Sequence, residues 1–175
     1  TRMLKEGRCD AVKLEGGREI AETIKAIVDA GIPVMGHIGL TPQTVSKLGG
    51  FKVQGKGDAA KDVLEDALAV EAAGAYSIVL ECIPEQLGKL ITEKLRIPTI
   101  GIGGGRFTDG QVMVYHDMVG LFEKFIPKFV KQYINLGPEI IKALETYKEE
   151  VKSGAFPGEE HTFGGVSEEE LKRLY

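Results

Sequence analysis

Tyr76-Ser-Ile-Val-Leu-Glu-Cys82, then Ile83-Pro84, then Glu85-Gln-Leu-Gly-Lys-Leu-Ile-Thr-Glu-Lys-Leu95, then Arg96-Ile-Pro-Thr-Ile-Gly-Ile-Gly-Gly-Gly105 form one unbroken stretch. The first segment is a short apolar run of strand length. Pro84 suits the first position of a helix, and the segment to Leu95 keeps helical spacing. Ile97-Pro98 opens a second apolar run, Thr99 to Ile102, which three glycines end. Strand, helix, strand within thirty residues predicts a βα unit feeding a parallel sheet.

The same unit recurs on either side. Asp10-Ala-Val-Lys-Leu-Glu15 predicts a strand, followed by a helix from about Arg18 to Ala30 with Ile20, Ile24, Ile27 and Val28 on one face. Gly31-Ile-Pro33 stops that helix and launches a strand from Val34 to Ile38. A loop from Gly39 to Gly57 follows. Asp58 is the expected N-cap of a helix whose apolar face is Ala60, Val63, Leu64, Ala67 and Leu68. Strand starts at Asp10, Pro33, Tyr76 and Pro98 are 23, 43 and 22 residues apart, so the long step is the same unit with the loop inserted. Downstream, Gln111-Val-Met-Val-Tyr115 predicts a fifth strand. Helix is expected from about Val119 to Tyr133 with a break near Pro127, and from Pro138 to Lys152. A tail, Gly154 to Gly165, precedes a short helix from Ser167 to Leu174. The class is α/β, and the pattern leaves two architectures open, a doubly-wound open sheet and a (β/α)8 barrel.

Composition excludes several functions. The chain has 175 residues, enough for one domain with a full core. Its net charge of −4 carries no basic stripe, so no nucleic-acid partner is expected. No apolar run reaches the ~18 residues of a membrane span, and no secretory signal opens the chain. Cys9 and Cys82 lack metal-ligand spacing and are expected as reduced core thiols, which makes cytoplasmic the expected location. The 23 glycines, roughly twice the usual share, stand at the ends of apolar runs and imply tight turns. Thr1-Arg-Met-Leu-Lys-Glu-Gly7 reads as the end of a helix, so a preceding segment is expected.

Three polar positions stand at the C-terminal ends of strands, where both architectures build their sites. Lys13 and Glu15 are two apart on a strand and share a face. They are either a structural ion pair or a ligand pair, a carboxylate for a hard metal ion and an ammonium for an anionic substrate. Glu81 closes Ile78-Val-Leu-Glu81, where a carboxylate among apolar neighbours suits general-base work. A solvated strand-end glutamate is the other reading. His37, in Gly36-His-Ile-Gly39, is either a hydrogen-bonded structural residue or part of a site that its glycines let another group approach. Gly101-Ile-Gly-Gly-Gly105 lacks the Lys-Ser/Thr of a phosphate loop and reads as a tight turn. Ser46, Ser77 and Cys82 have no spacing of a nucleophilic triad.

Seven segments carry a resemblance. Val12-Lys-Leu-Glu-Gly-Gly17, Gly36-His-Ile-Gly-Leu-Thr-Pro-Gln43, Gly49-Gly-Phe-Lys-Val-Gln-Gly55 and Val79-Leu-Glu-Cys-Ile-Pro84 are four of them. The others are Ile100-Gly-Ile-Gly-Gly-Gly105, Asp109-Gly-Gln-Val112 with His116-Asp117, and Phe156-Pro-Gly-Glu-Glu-His161. In this order, across nearly the whole chain, they resemble the ketopantoate hydroxymethyltransferase family. The resemblance implies a (β/α)8 barrel of the phosphoenolpyruvate-pyruvate class, with residues 1–175 supplying about the last five strands as one partial domain and 154–175 its C-terminal tail and short helix. It also implies transfer of a hydroxymethyl group from 5,10-methylenetetrahydrofolate to the α-keto acid 3-methyl-2-oxobutanoate, on the route to pantothenate and coenzyme A. One Mg2+ ion and a homo-oligomer, usually a decamer, are implied with it.

Position by position, Glu15 matches the family's magnesium-linked carboxylate, Lys13 its keto-acid-binding lysine and Glu81 its proton acceptor. His37 matches a histidine of the substrate pocket. The Gly39–Gly57 loop, with Lys47, Lys52 and Lys56, reads either as a candidate lid over the folate or as a solvated loop. Gly104 departs from the alanine common in the family. The family's first three strands, with an Asp-Ser pair and a further Asp at metal and substrate, have no counterpart here, so an N-terminal barrel segment of roughly 95 residues is expected elsewhere. A non-catalytic scaffold or binding fragment is the alternative. A related carbon–carbon lyase would need a reactive loop cysteine, and neither cysteine is so placed.

Overall fold

Short apolar runs between glycine and proline boundaries fold as strands, and the amphipathic stretches between them fold as helices. The computed structural model describes residues 2–46, 50–122 and 124–175. It contains two compact units, Thr1–Val114 with Ile126–Lys131, and Tyr115–Phe125 with Gln132–Tyr175.

The first unit is built on a five-stranded, wholly parallel sheet in the order β1-β2-β3-β4-β5. Its strands are β1 (Val12–Glu15), β2 (Val34–Gly39), β3 (Ser77–Glu81), β4 (Thr99–Ile102) and β5 (Gly110–Gln111). A short helix, α1 (Arg2–Lys5), precedes them; α2 (Ala21–Asp29), α3 (Ala59–Ala72) and α4 (Glu85–Lys94) make the crossovers. Strand order follows chain order throughout, so the reversal that defines a doubly-wound sheet does not occur in this sheet.

One face of the sheet packs on the helices. Val34, Ile38, Ile78 and Leu80 form a core with Ile24 of α2, Val63, Ala67 and Val70 of α3, and Leu87 and Ile91 of α4. Alternation then sends Lys13, Glu15, Met35, His37, Ser77, Val79 and Glu81 to the opposite face. Register aligns them in rows: Lys13 pairs with Met35 and Met35 with Ser77, Glu15 with His37 and His37 with Val79, and Gly39 with Glu81.

Several expected boundaries move. Pro84 is the N-cap of α4 rather than its first residue, with ψ 138. Asp58 occupies the N-cap of α3 in helical geometry and makes no side-chain cap. The chain already winds there, with Ala59 and Ala60 amides bonded to the Lys56 and Gly57 carbonyls. The fifth strand is two residues long instead of Gln111–Tyr115. Val112 and Val114 are half exposed, with no further strand beside them among the described residues, so β propensity has no surface to pack on.

In the second unit the helix expected from Val119 to Tyr133 does not form. Instead α5 (Tyr115–Met118) ends at Gly120, whose φ is +70 and where a Cβ would crowd Asn135. Amides of Gly120 and Leu121 bond the carbonyls of Asp117 and His116, the double closure of a Schellman motif. The following helix, α6 (Gly137–Ser153), buries none of its side chains. The tail folds back on it, with the Phe156 ring 5.5 Å from Tyr147 and 5.0 Å from His161. Ser167 caps α7 (Glu168–Lys172) through a reciprocal box with Glu170. Among the described residues no helix is long and apolar enough to cross a membrane.

Candidate active site

Glu15, His37, Glu81 and Lys13 come together on the sheet face opposite α2, α3 and α4. His37, on β2 between β1 and β3, is buried. Its Nε2 lies 3.0 Å from Glu81 Oε2, and its Nδ1 lies 3.4 Å from Lys13 Nζ and 3.6 Å from Glu15 Oε1. The carboxylates are nearly as enclosed, with side-chain exposures of 9% for Glu15 and 14% for Glu81. Glu15 Oε2 accepts a 3.0 Å hydrogen bond from the Gln43 amide, in the turn Pro42–Thr44. A carboxylate, an imidazole, a second carboxylate and an ammonium thus share one side of three strands, a set that can bind an anion and move a proton.

The local backbone explains this convergence. Gly39 ends β2 with φ +89, and a Cβ there would collide with the Glu81 carbonyl. The group that the Gly36 and Gly39 gaps admit is therefore part of the fold: the Glu81 main chain at Gly39, and the Val70 side chain at Gly36. Leu40 donates to that Glu81 carbonyl at 2.9 Å, which anchors the end of β3. The next residue, Cys82, is left-handed at φ 51, with its amide on Ile102 O and its carbonyl accepting from Gln54 N–H. Burial pushes the Cys82 thiol pKa up; the Glu81 charge adds to this and Lys56 opposes it.

Other expectations resolve differently. Cys9 is exposed rather than a core thiol, and both cysteines are free. The triple glycine is a packed turn, where Gly103 leaves room for Phe129 and the Gly104 carbonyl approaches Gly88 of α4. Lys52 and Lys56 lie exposed on their loop, while Lys47 lies outside the described residues. Sequence reasoning missed two features. His37 is the hub that touches the other three, a fact encoded in the Glu15–His37 register and not in any local motif. Ser77 Oγ is buried without a partner on the same face, one row below His37.

Metal fit can be judged from the donor set. Among the described residues no three His, Cys, Asp or Glu side chains converge as a metal cage. Glu15 offers one hard oxygen, Oε1, that lies beyond hydrogen-bond range of the imidazole. Mg2+ is commonly held by one or two carboxylates with water and substrate oxygens completing the shell, and Glu15 fits as one such ligand.

Fold and site together define a parallel α/β protein of βα repeats with an acid–base cluster at the C-terminal ends of its strands. The ketopantoate hydroxymethyltransferase family profile matches residues 1–159, and the chain belongs to that family. It is 60% identical over 175 residues to the 3-methyl-2-oxobutanoate hydroxymethyltransferase of Heliobacterium modesticaldum and 59% identical to that of Clostridium beijerinckii. Each alignment covers 99% of this chain and 63% of the relative's length. The Thermus thermophilus protein of the same name is 56% identical over 163 residues, 93% of this chain and 62% of its own. The chain therefore spans less than two thirds of the length of these curated relatives. A solved structure of a putative phosphonomutase from Burkholderia cenocepacia aligns at 18% identity and TM-score 0.29, over 82% of this chain and 68% of its own.

Proposed function

We propose that this chain is part of a (β/α)8 barrel that transfers a hydroxymethyl group from 5,10-methylenetetrahydrofolate to 3-methyl-2-oxobutanoate, giving 2-dehydropantoate. The observation that carries the proposal is the cluster on one sheet face of Glu81, His37 and Glu15, whose side chains are largely enclosed, with the exposed Lys13 beside His37. Glu81, at the C-terminal end of β3, removes the proton from the branching carbon of the keto acid. The electron pair moves onto the keto oxygen as an enolate. Lys13 places positive charge beside that developing anion, the kind of fixed charge that gains strength away from bulk water. Mg2+ held by Glu15 supplies Lewis-acid stabilisation of the keto acid's oxygens when bound. The enolate carbon forms the new bond to the one-carbon unit, delivered by the folate as an iminium. Water then supplies the oxygen of the hydroxymethyl group as the carbon–nitrogen bond breaks.

The exposed loop bearing Lys52 and Lys56 is tied to the residue after Glu81 by the 2.9 Å bond from the Gln54 amide to the Cys82 carbonyl, and it is the proposed lid over the folate. The proposed setting is a cytoplasmic homo-oligomer, a decamer as the resemblance implies. The test is deuterium exchange at the branching carbon of 3-methyl-2-oxobutanoate, with Mg2+ and no folate, in the intact protein. Exchange is expected, with a loss of at least ~100-fold in Glu81→Gln, the scale of a general base. Undiminished exchange in that variant sinks the assignment of Glu81.

A further inference from the structure

We propose that His37 is a positioning residue: its Nε2–H holds the Glu81 carboxylate in its working orientation, and Lys13 fixes which nitrogen carries that proton. The proposal rests on the reading of Glu81 as the base. An imidazole has only two polar atoms, and here both face the protein's own side chains, Nδ1 toward Lys13 and Nε2 toward Glu81. The ring is buried, so no polar atom of His37 is left for substrate. This differs from the direct substrate contact expected from the resemblance.

The proton's place follows from donor arithmetic. An ammonium only donates, so a contact between Lys13 Nζ and Nδ1 at 3.4 Å requires Nδ1 to accept. Glu15 is the more distant neighbour of Nδ1. Its Oε1 is 3.6 Å away, beyond a hydrogen bond, and its Oε2 is occupied by the Gln43 amide. A neutral imidazole with an accepting Nδ1 carries its hydrogen on Nε2. That nitrogen is buried with no hydrogen bond yet aligned, and Glu81 Oε2 stands 3.0 Å from it. The terminal torsion of a glutamate is broad and soft, so a small turn of the carboxylate closes the bond. The ring itself cannot wander. It sits on an interior strand, with β1 and β3 paired on its two sides and its carbonyl accepting from the Gly16 amide. Glu81 is paired with Gly39 and Ile102 along its main chain, but its side chain turns about three torsions against the two of an imidazole. The rigid partner therefore orients the looser one, and the other Glu81 oxygen is left for the substrate proton.

Two measurements on the intact protein test this. Nitrogen-15 spectra of histidine-labelled protein, without metal or substrate, report which nitrogen of each ring is protonated. The chain has three histidines, so loss of one signal set in His37→Gln assigns it. Protonated Nε2 with bare Nδ1 is expected, and the opposite pattern overturns the proposal. In the exchange assay, His37→Gln, whose amide reaches toward the Nε2 position, should retain the turnover rate to within about tenfold. His37→Asn, which reproduces only the Nδ1 side, should lose about a hundredfold, with KM for the keto acid unchanged in both. A raised KM with unaltered turnover, or better rescue by Asn, overturns it in favour of substrate contact. Failure of the unsubstituted protein to exchange would instead sink the reading of Glu81, and the tautomer result stands apart from that outcome.

Discussion

Cys82 shows how one side chain is shaped by the residues that organise the site. Its left-handed backbone turns the chain directly after Glu81, and its two main-chain bonds tie β3 to β4 and to the loop at Gln54. The thiol is partly enclosed, and burial raises its pKa above the ordinary value of 9.0, helped by the neighbouring Glu81 charge. A raised folded-state pKa means the fold favours the protonated thiol. Its contribution to stability is therefore fully present below pH 9.0 and is lost as pH rises through the higher folded-state value. The thiolate is the nucleophile, so at pH 8 iodoacetamide should modify exposed Cys9 first and Cys82 several-fold more slowly. Peptide mass spectrometry of a labelling time course reads the two rates. Equal rates would show that burial does not govern the Cys82 thiol.

Between strands the decisive contacts are side-chain substitutes for missing ladder bonds. β5 begins only at Gly110, so the Thr99 amide at the start of β4 has no strand partner on that side. Asp109 Oδ2 takes its place, accepting from Thr99 N at 2.8 Å and Thr99 Oγ1 at 3.0 Å. Thr99 is fully buried and also meets Thr92 of α4, so its polar groups have no water to fall back on. Asp109→Ala should cost about 1–3 kcal/mol, the penalty for leaving a buried donor unpaired. Urea unfolding should show a lowered midpoint at unchanged slope. These elements were readable in sequence to different depths. The runs at Val34, Ser77 and Thr99 are bounded by Gly or Pro and packed on both sides, so their pattern suffices. The fifth strand is shorter than its apolar run and the Val119–Tyr133 helix does not form, because apolar content needs partners to become structure. Gly120, a helix stop, was read as helix interior. Candidate residues were legible because Glu15 and Glu81 each end a strand and His37 stands two residues before the end of its own. Their mutual geometry was not, since register between residues 22 and 42 positions apart leaves no local mark.

At the scale of the whole chain the two units differ in what they bury, and that difference predicts how they open. In the first unit, Ile24, Val34, Val70, Ile78, Leu80 and Ile91 are fully or almost fully enclosed, and β2 and β3 are paired on both edges. Amides there can exchange only through large-scale opening. In the second unit α6 has an apolar stripe of Ile140, Ile141, Leu144, Tyr147 and Val151, yet each of these is 44–62% exposed. A helix of this length without tertiary burial is marginal, because propagation barely repays its nucleation. Its ends are well made: Pro138 lies in the first turn, and Gly154 closes it with amide bonds from Gly154 and Ala155 to Val151 and Glu150. Good ends add only about 1 kcal/mol each and do not replace a core. Hydrogen exchange by mass spectrometry on the 175-residue chain at low concentration should therefore be bimodal along the sequence. Peptides over Val34–Gly39 and Ser77–Glu81 should remain protected for hours, while peptides within Gly137–Ser153 should exchange within minutes. Protection of α6 equal to that of β3 would mean that its apolar stripe is covered, and the assignment of stability to the first unit alone would fail.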